Sequence, residues 1–521
     1  MRRFLHGSWR DCTKETAIRT LPKFRNLGAF LSYLDGVGQL ADVAAPVSLR
    51  HEMTAVHRRV LAAGGPVLRF SHATGAGGGR AAMPVVANLF GTPERVAAGL
   101  GLTLEQVDEL GEFLAALREP APVEGMRDAL SRWPLLAAAL ATRPKVMSRA
   151  PVQGVVKKGG DVDLGALPVQ SHWPGEPAPL VTWPLVLTRP PDSAADDSGR
   201  YNMGVYRMQV LDQNRCIMRW LAHRGGAAHH RGWAAKGEKM PVAVAIGADP
   251  ATMLSAALPL PETLSELRFA GVLRGERSAL VPAKTVPMLV PAEAEIVLEG
   301  WVDPSQTAPE GPYGDHTGYY NSVEPFPVME VTAITTRKDP VYLSTFTARP
   351  PDEPSVIGEV FNRLALPMIR RQIPEVTDLW LPPAACSYRM AVVAIRKRYE
   401  GQARRVMMAL WGMLPQFSYT KMVVVVDEDI NPRDWSDIAW AMSTRMDPSR
   451  DLMVLDRTPM DYLDFASPEP GLAGKLGIDA TTKIGAETNR EWGRVMEMSP
   501  EAEGFATDLC TRLGLTEKGP E

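Results

Sequence analysis

Between residues 151 and 345 the chain is built of short β-rich runs that are separated by clusters of proline and glycine. The runs cover residues 180–188, 205–211, 216–222, 241–247, 294–301 and 328–336. Strands that recur at short intervals with turn signals between them are typical of a β-barrel or a β-sandwich. The pattern therefore predicts a β-barrel or β-sandwich in the middle of the chain. The 45 prolines and 44 glycines predict rigid loops between ordered elements.

The patterns of residues 1–150 and 346–521, on either side of this region, predict mixed α/β structure. Thr103 and Gln106 form a capping-box pattern before a run of apolar residues at helical spacing. Further along, residues 421–426 predict a buried strand, residues 436–444 a helix, and residues 505–513 a terminal helix with one apolar face. We expect an α/β (α+β) chain of three domains, at residues 1–150, 151–345 and 346–521.

The charge and cysteine content of the 521 residues argue against several classes of protein. Lysine and arginine number 57 against 60 aspartates and glutamates, so the net charge of −3 suggests no nucleic-acid partner. The four cysteines are far apart and form no CxxC, which argues against a structural zinc or a disulfide framework. The N-terminus lacks the apolar stretch of a secretory signal, and no window is apolar enough to span a membrane. We expect a cytoplasmic protein with at most peripheral membrane contact.

The segment YNMGVYRMQVLDQNRCIMRWLAHRGGA consists of two β-like runs around the turn DQNR. In an antiparallel hairpin centred on that turn, the numbers of cross-strand partners sum to about 427. Asn202 then lies near Gly225 and His223, and Arg207 lies opposite Trp220. An amide oxygen and an imidazole at one end of a hairpin are reasonable ligands for a divalent ion. An ordinary strand pair with a polar end is the alternative interpretation.

The segment PEGPYGDHTGYY places Glu310, Asp315 and His316 in a loop that prolines stiffen and glycines free for unusual backbone angles. When two carboxyl groups share a site, the pKa of one rises and that group can act as a proton donor. An arginine between them, such as Arg207, would hold the other carboxyl ionised. A turn rich in its usual glycine, proline and aspartate is the alternative interpretation.

Several segments, taken together, resemble the UbiD family of decarboxylases, which use a prenylated flavin mononucleotide (prenylated FMN). The segments are LFGTPERVA, NMGVYRMQV, MRWLAHRGGA, APEGPYGDHTGYY, RPPDEP, TRMDP, DYLDFASP and REWG. The resemblance runs from about residue 26 to about residue 495, and residues 1–25 lie outside it. It is strongest to the branch that decarboxylates 4-hydroxy-3-polyprenylbenzoate in ubiquinone biosynthesis.

The resemblance implies an architecture and an assembly. An N-terminal α/β domain precedes a split β-barrel of the flavin-reductase type, which holds the cofactor. A C-terminal α/β domain follows, and its terminal helix contributes to dimer contacts. The implied assembly is a homodimer or homohexamer, and a flavin prenyltransferase in the same cell must supply the cofactor.

The resemblance also implies the residues of the site. The ligands for a divalent ion, usually Mn²⁺, are Asn202, His223 and Glu266, of which spacing alone does not single out Glu266. The positions matched to flavin contacts are Val205, Tyr206, Arg207, Arg219, Trp220, Leu221, Arg224 and Gly225. The catalytic network is Glu310, Arg207 and Asp315, with Asp315 as the proton donor. Some family members also bind K⁺, here through the backbone near Met203 and residues 255–258.

The chemistry of decarboxylation explains why a cofactor is needed. An aryl carboxylate keeps its carbon–carbon bond unless the electrons left on carbon are accepted elsewhere, and no ordinary side chain accepts them. The resemblance implies that the modified flavin takes up this electron density before an acid protonates the same carbon. Arg207 would bind the substrate carboxylate as a planar fork and keep Glu310 charged. Asp315 must be protonated at the second step, so we expect burial and neighbouring charge to raise its pKa.

The leading prediction is a non-oxidative decarboxylase of 4-hydroxy-3-polyprenylbenzoate. A decarboxylase of another aromatic acid, or of an aromatic acyl-CoA such as phthaloyl-CoA, is an alternative for which residues 1–25 and the divergent residues 276–291 leave room. An FMN-dependent oxidoreductase is an alternative of another class, but the Glu310–Arg207–Asp315 network has no obvious role in hydride transfer. A flavin-binding protein without enzymatic activity is disfavoured, because every matched catalytic position is filled.

Overall fold

The N-terminal part of the chain is a small mixed α/β unit. A computed structural model describes residues 19–75, 77–118, 138, 140–222, 224–258, 260, 264–413 and 415–515. The first helices are α1 (Leu27–Gly36), α2 (Glu52–Ala62), α3 (Pro93–Gly99) and α4 (Gln106–Arg118). The first strands are β1 (Leu40–Val43), β2 (Val47–Ser48), β3 (Val67–Phe70), β4 (Ala73–Thr74) and β5 (Val85–Ala87). Gln106 Oε1 accepts a hydrogen bond from the backbone N–H of Thr103 at 3.0 Å, so the expected cap precedes α4.

The central part is dominated by a nine-stranded antiparallel sheet that curls into a half-barrel. The strands of the central part, in chain order, are β6 (Lys145–Val146), β7 (Val155–Lys158), β8 (Leu180–Val181), β9 (Leu185–Thr188), β10 (Asn202–Val205), β11 (Met208–Val210), β12 (Arg215–Met218), β13 (Met240–Ile246), β14 (Ala279–Pro282), β15 (Leu289–Pro291), β16 (Ile296–Glu310) and β17 (Glu324–Thr336). Of these, β6, β14 and β15 form a small neighbouring sheet, and the others form the large sheet. The strand order in the large sheet is β10-β9-β13-β16-β17-β12-β11-β8, with β7 beside β17. Among the described residues of the central part, the accompanying helices are α5 (Gly225–Lys236), α6 (Pro250–Ala257) and α7 (Glu266–Arg274). The predicted fold class is confirmed.

The predicted hairpin is present in β11 and β12, where Met208 pairs with Met218. Its register differs by one residue from the prediction, because the backbone N–H of Arg219, and not that of Trp220, donates to the carbonyl of Arg207 at 3.4 Å. The predicted closeness of Asn202 and Gly225 is confirmed, because a Cβ at Gly225 would clash with Asn202 Oδ1, but the prediction that the open end of the hairpin brings them together is wrong. There β10 pairs with β9, which is buried along its whole length and provides the ladder partner, and Gly225 begins a helix.

The C-terminal part is a five-stranded sheet with helices. Its strands are β19 (Val376–Trp380), β20 (Met390–Ile395), β21 (Met422–Asp427), β22 (Leu452–Pro459) and β23 (Leu472–Ala480), and it follows the short β18 (Tyr342–Leu343). Its helices are α8 (Glu353–Gln372), α9 (Gln402–Met413), α10 (Trp435–Arg445), α11 (Pro448–Asp451) and α12 (Pro500–Leu513). The parallel strands β20, β21 and β23 lie between two antiparallel edge strands. The predicted buried strand, internal helix and terminal helix correspond to β21, α10 and α12.

The apolar cores show how these parts are held together. One large core includes side chains of the N-terminal and central parts, while separate cores cover the two faces of the C-terminal sheet. The chain also returns after the half-barrel to add β18 beside β5 of the N-terminal sheet. The domain boundaries at residues 150 and 345 stay a prediction. Within the described residues, no helix is both long enough and apolar enough to cross a membrane.

Candidate active site

The guanidinium of Arg207 lies between two carboxyl groups. Its Nε donates to Glu310 Oε1 at 2.8 Å, and its Nη1 donates to Asp315 Oδ2 at 2.9 Å. Arg207 lies between β10 and β11, Glu310 is the last residue of β16, and Asp315 lies in the following loop. The side chain of Glu310 is fully buried, and those of Arg207 and Asp315 are largely buried. The structure thus brings together the three residues of the expected catalytic network.

The orientation of Arg207 differs from the expectation that it presents a planar fork to the substrate. Its Nε and Nη2 both donate to Glu310, and Nη2 also donates to Asn321 Oδ1 at 2.7 Å. Arginine carries five N–H donors. Within the described part of the chain, four of them therefore have acceptors, and one Nη1 hydrogen remains for a substrate carboxylate. The prediction that Arg207 offers two parallel N–H groups to the substrate carboxylate is wrong for this arrangement. The Nε and Nη2 hydrogens that would form such a pair already bond to Glu310 and Asn321.

The pKa of Asp315 also differs from the expectation. Burial acts to raise it, but a hydrogen bond from His316 and the charge of Arg207 outweigh burial and hold this pKa below its usual range. The expected rise is therefore wrong for the protein without a substrate. The neighbouring His316 Nδ1 lies 2.8 Å from Asp315 Oδ1, and the pKa of His316 is raised.

Asn321 is a member of this cluster that the sequence does not single out. Its side-chain oxygen accepts from Arg207 and from the backbone N–H of Tyr313, both at 2.7 Å. Its amide nitrogen donates to the carbonyl of Ser322 at 2.6 Å. Asn321 is buried, and it holds Arg207 and the loop after Glu310 in one arrangement. No pattern in the chain marks it, because it lies in an unremarkable stretch after the aromatic pair of the loop.

A second arginine and a tyrosine complete the cluster. Arg219 follows β12 and is buried, and it donates to Glu310 and to the phenolic oxygen of Tyr462. Tyr462 belongs to the segment DYLDFASP of the C-terminal domain, which is one of the segments that carry the resemblance to UbiD. Tyr462 also lines a cavity of about 520 Å³ together with Trp220 and Leu221. The cavity therefore lies between the half-barrel and the C-terminal domain.

The residues matched to flavin contacts form a close-packed corner beside this cavity. A Cβ at Gly226 would lie 2.8 Å from Trp220 Nε1, and a Cβ at Gly225 would lie 2.1 Å from Asn202 Oδ1. Glycine is therefore required at both positions for the side chains to approach. Among the described residues Trp220 Nε1 is buried and has no hydrogen-bond partner. A buried donor of this kind suits a planar polar ligand.

Helix α5 begins at this corner. Arg224 is its N-cap residue, and no side chain caps the helix there. Helix N-termini bind phosphate groups, because their backbone N–H groups and dipole both favour negative charge. The exposed Arg224 adds a positive charge at the same end, and the flavin-matched residues Val205, Tyr206 and Leu221 are half-buried. The corner therefore fits a flavin with its phosphate.

Two of the three expected metal ligands lie on adjoining elements. Asn202 begins β10, and Glu266 Oε2 accepts from the backbone N–H of the next residue, Met203, at 2.9 Å. Burial raises the pKa of Glu266 to about 7. A buried carboxyl group beside an amide oxygen suits a divalent cation, whose charge would restore the ionised form. His223 lies outside the described residues, and among those described no three His, Cys, Asp or Glu side chains form a metal-binding group.

The comparison with known families covers the three parts of the chain. Residues 31–114, 145–350 and 355–480 match the models of the N-terminal, Rift-related and C-terminal domains of 3-octaprenyl-4-hydroxybenzoate carboxy-lyase. These three models describe the three domains of the UbiD family. The chain belongs to the UbiD family. It is therefore a carboxy-lyase, as the resemblance predicts.

Solved structures of UbiD-class enzymes match almost the whole chain. The closed form of vanillic acid decarboxylase from Sedimentibacter hydroxybenzoicus is 25% identical, with a TM-score of 0.80 over 94% of this chain and 99% of that chain. HmfF from Pelotomaculum thermopropionicum in complex with FMN is 29% identical, with a TM-score of 0.75 over 92% and 98%. An evolved dimeric form of HmfF in complex with prenylated FMN is also 29% identical, with a TM-score of 0.73 over 92% and 98%. This chain has the UbiD-class decarboxylase fold.

Proposed function

We propose that this chain is a non-oxidative decarboxylase that uses prenylated FMN to remove CO2 from 4-hydroxy-3-polyprenylbenzoate in ubiquinone biosynthesis. One observation carries the proposal: the guanidinium of Arg207 is held between Glu310 and Asp315. A cation between two carboxyl groups suits carboxylate binding followed by proton transfer. The matched family models are named for 3-octaprenyl-4-hydroxybenzoate carboxy-lyase, and this name supports a polyprenylated hydroxybenzoate as the substrate.

The residues of the chain would bind and orient the substrate and move a proton. Prenylated FMN, when bound, supplies the acceptor for the electrons that the departing CO2 leaves on carbon. Arg207 binds the substrate carboxylate through its remaining Nη1 hydrogen, and Glu310 keeps the guanidinium in place. Asp315 delivers the proton to the carbon from which CO2 has left.

We propose that the flavin lies in the corner formed by Val205, Tyr206, Arg219, Trp220, Leu221, Arg224 and Gly225, within reach of Arg207. We propose further that Asn202, His223 and Glu266 hold a Mn²⁺ or another divalent ion beside the phosphate, and that the backbone near Met203 and Ser255 holds K⁺. The two HmfF structures, which contain FMN and prenylated FMN, support the cofactor. The uncapped start of α5 and the buried Glu266 support the phosphate and the divalent ion.

The test is CO2 release from a panel of acids by protein produced with a flavin prenyltransferase. The panel contains a 4-hydroxy-3-polyprenylbenzoate, vanillate and phthaloyl-CoA. We expect release from the polyprenylbenzoate and loss of activity in Glu310→Gln. Glu330→Gln, on the exposed side of β17, is the matched control and should keep full activity. Undiminished activity in Glu310→Gln, with cofactor bound, would contradict the assigned network.

A second candidate is decarboxylation of another aromatic acid. The structure from Sedimentibacter hydroxybenzoicus supports it, because that relative is a vanillic acid decarboxylase. Release of CO2 from vanillate or phthaloyl-CoA, with none from the polyprenylbenzoate, would support this second candidate over the first. The sequence also left an FMN-dependent oxidoreductase as an alternative of another class, and the match to carboxy-lyase family models argues against it. Protein that contains only plain FMN and is active with it would favour that alternative.

We propose that the chain works as a homodimer or homohexamer. The apolar residues of α12 support this: Phe505 is 63% exposed and Leu513 is 62% exposed in the single chain. Apolar side chains repeated on one helix face are expected to be covered by another subunit. Light scattering of the wild type and of Phe505→Ser tests the assembly. The cytoplasm, with at most peripheral contact to a membrane, stays the expected compartment.

A further inference from the structure

His316 lies between the loop that carries Asp315 and the C-terminal domain. Its Nδ1 is 2.8 Å from Asp315 Oδ1. Its Nε2 is 3.4 Å from the hydroxyl of Tyr388 and 3.7 Å from Asp461 Oδ2. Each ring nitrogen therefore faces a carboxylate. An imidazolium, which donates from both nitrogens, suits this position better than a neutral imidazole.

The residues around His316 are themselves held in place. The hydroxyl of Tyr388 donates to Asp461 Oδ2 at 2.6 Å, and Arg389 Nη2 lies 3.3 Å from the same oxygen. On the other side, Arg207 holds Asp315 Oδ2, so that Oδ1 is left for His316. The imidazole consequently connects the candidate acid to a charged cluster of another domain.

The surrounding charges favour the cationic form of the ring. Burial lowers the pKa of His316, but the hydrogen bond that His316 donates to Asp315 and the charges of Asp315 and Asp461 outweigh it. Arg389 opposes this rise, while Asp352 is the further charged group that interacts with the ring. The pair formed by His316 and Asp315 therefore favours the form in which the shared proton lies on the histidine.

Decarboxylation needs that proton. Conversion of a carboxylate to CO2 and an aromatic C–H consumes one proton in each turnover. Asp315 is to donate it, yet the carboxyl is ionised while Arg207 and His316 face it. Asp315 therefore needs a neighbouring source of protons, and His316 is in hydrogen-bond contact with it.

We propose that His316 is a positioning residue that keeps the transferable proton beside Asp315 and supplies it to Asp315 during turnover; this proposal rests on the proposed decarboxylase function. The Nδ1–H bond of the imidazolium breaks as an O–H bond forms on Asp315. That O–H bond breaks as the substrate carbon gains the proton, which leaves an ionised carboxylate and a neutral imidazole. A proton from the bulk solvent, which is the one that the net reaction consumes, then returns to the ring.

Asp461 and Tyr388 act on this supply from the C-terminal domain. Asp461 stabilises the positive charge of the ring, and Tyr388 positions the Asp461 carboxylate. Loss of the Asp461 charge should make the ring release its proton at lower pH. The proton supply then depends on contact between the half-barrel and the C-terminal domain.

The first experiment measures pH profiles of reconstituted holoenzyme with the panel acid that releases CO2. In His316→Asn the amide still donates to Asp315 but carries no transferable proton. We expect kcat at pH 8 to fall about 100-fold, the size of a general-acid effect, with KM unchanged. The alkaline limit of activity should move to lower pH, and added imidazole should restore part of the rate. His72→Asn, in the N-terminal domain, is the control for loss of a histidine.

The second experiment uses protein without cofactor. Nitrogen NMR of ¹⁵N-histidine-labelled protein, with His316 assigned by its absence in His316→Asn, should show both ring nitrogens protonated at pH 7. Asp461→Asn should lower the pH at which the ring loses its charge, and this variant keeps the histidine if His316→Asn fails to fold.

A neutral His316 at pH 7 would overturn the proposal. So would a wild-type pH profile in a His316→Asn enzyme that releases CO2, and in that case the proposed function stands. A wild-type protein that releases CO2 from none of the acids overturns the proposed function and this inference with it.

Discussion

Arg219 and Tyr462 are joined by a hydrogen bond from Nη2 to the phenolic oxygen, although 243 positions separate them in the chain. Arg219 follows strand β12 of the half-barrel, and Tyr462 follows β22 of the C-terminal sheet. The same guanidinium donates to Glu310. At the wall of the cavity, the C-terminal domain therefore reaches the candidate catalytic network through Tyr462.

Tyr462→Phe should keep the ring that packs against Arg219 but remove the acceptor for a buried guanidinium. A hydrogen bond to a charged group contributes about 1.5–3 kcal/mol, so kcat should fall about tenfold or more as Arg219 and Glu310 move. Steady-state CO2 release by reconstituted enzyme measures the effect. Tyr33→Phe, in α1 of the N-terminal domain, is the matched control. Equal kcat in the two variants would contradict the importance of this bond.

Asn321→Ala should leave Arg207 Nη2 and the backbone N–H of Tyr313 without their shared acceptor. Each buried donor left unsatisfied costs about 1–3 kcal/mol, so the midpoint of urea unfolding should fall together with kcat. Asn214→Ala, in the turn between β11 and β12, should change neither quantity much. An Asn321→Ala enzyme of wild-type stability and activity would show that Arg207 needs no support from this side chain.

Glu266→Gln should lower the metal content and the flavin content of purified protein together. The amide oxygen can still accept from Met203, but the negative charge that a divalent ion requires is lost. Elemental analysis and flavin absorbance measure the two contents. Glu295→Gln is a close control, because Glu295 is also buried, has a pKa raised to about 7 and accepts from one backbone N–H. Retention of both metal and flavin by Glu266→Gln would remove Glu266 from the proposed ligands.

Glu353→Gln should change how stability depends on pH. Burial raises the pKa of Glu353 to about 7 in the folded chain, so the folded state holds a proton that the unfolded state has lost above about pH 4.5. The stabilising contribution is complete below pH 4.5 and is lost as the pH rises towards 7. Relative to Glu353→Gln, the wild type should therefore lose stability between about pH 5 and 7, as measured by urea unfolding. A constant difference across that range would contradict the raised pKa; Glu238→Gln, at an exposed site, is the control.

Parts of the site could be predicted from the sequence. The loop PEGPYGDHTGYY indicated that Glu310 and Asp315 could share a site with an arginine, and the structure places Arg207 between them. The same reasoning failed for the pKa of Asp315. The direction of a pKa depends on which charges face the group, and His316 turns its ring nitrogen to the carboxylate.

Other parts could not be predicted. Asn202 does lie against Gly225, but β10 reaches that position by pairing with β9, and not as the end of a hairpin. Hydrophobic alternation marks a segment as a strand, but it does not state which strand is its neighbour. Asn321 and Tyr462 carry no local signal of their role, because their partners lie far away in the chain.

The sequence by itself determined the family, the α/β texture of the two ends, the β-rich middle and most local elements, because periodicity, caps and turn residues act over a few positions. Only the tertiary structure decided that Arg207 donates from both Nε and Nη2 to Glu310. It also decided that Asp461, Tyr388 and Tyr462 of the C-terminal domain contact the residues of the network. These contacts depend on sheet register and on how the domains pack. No short stretch of residues determines the sheet register or the packing of the domains.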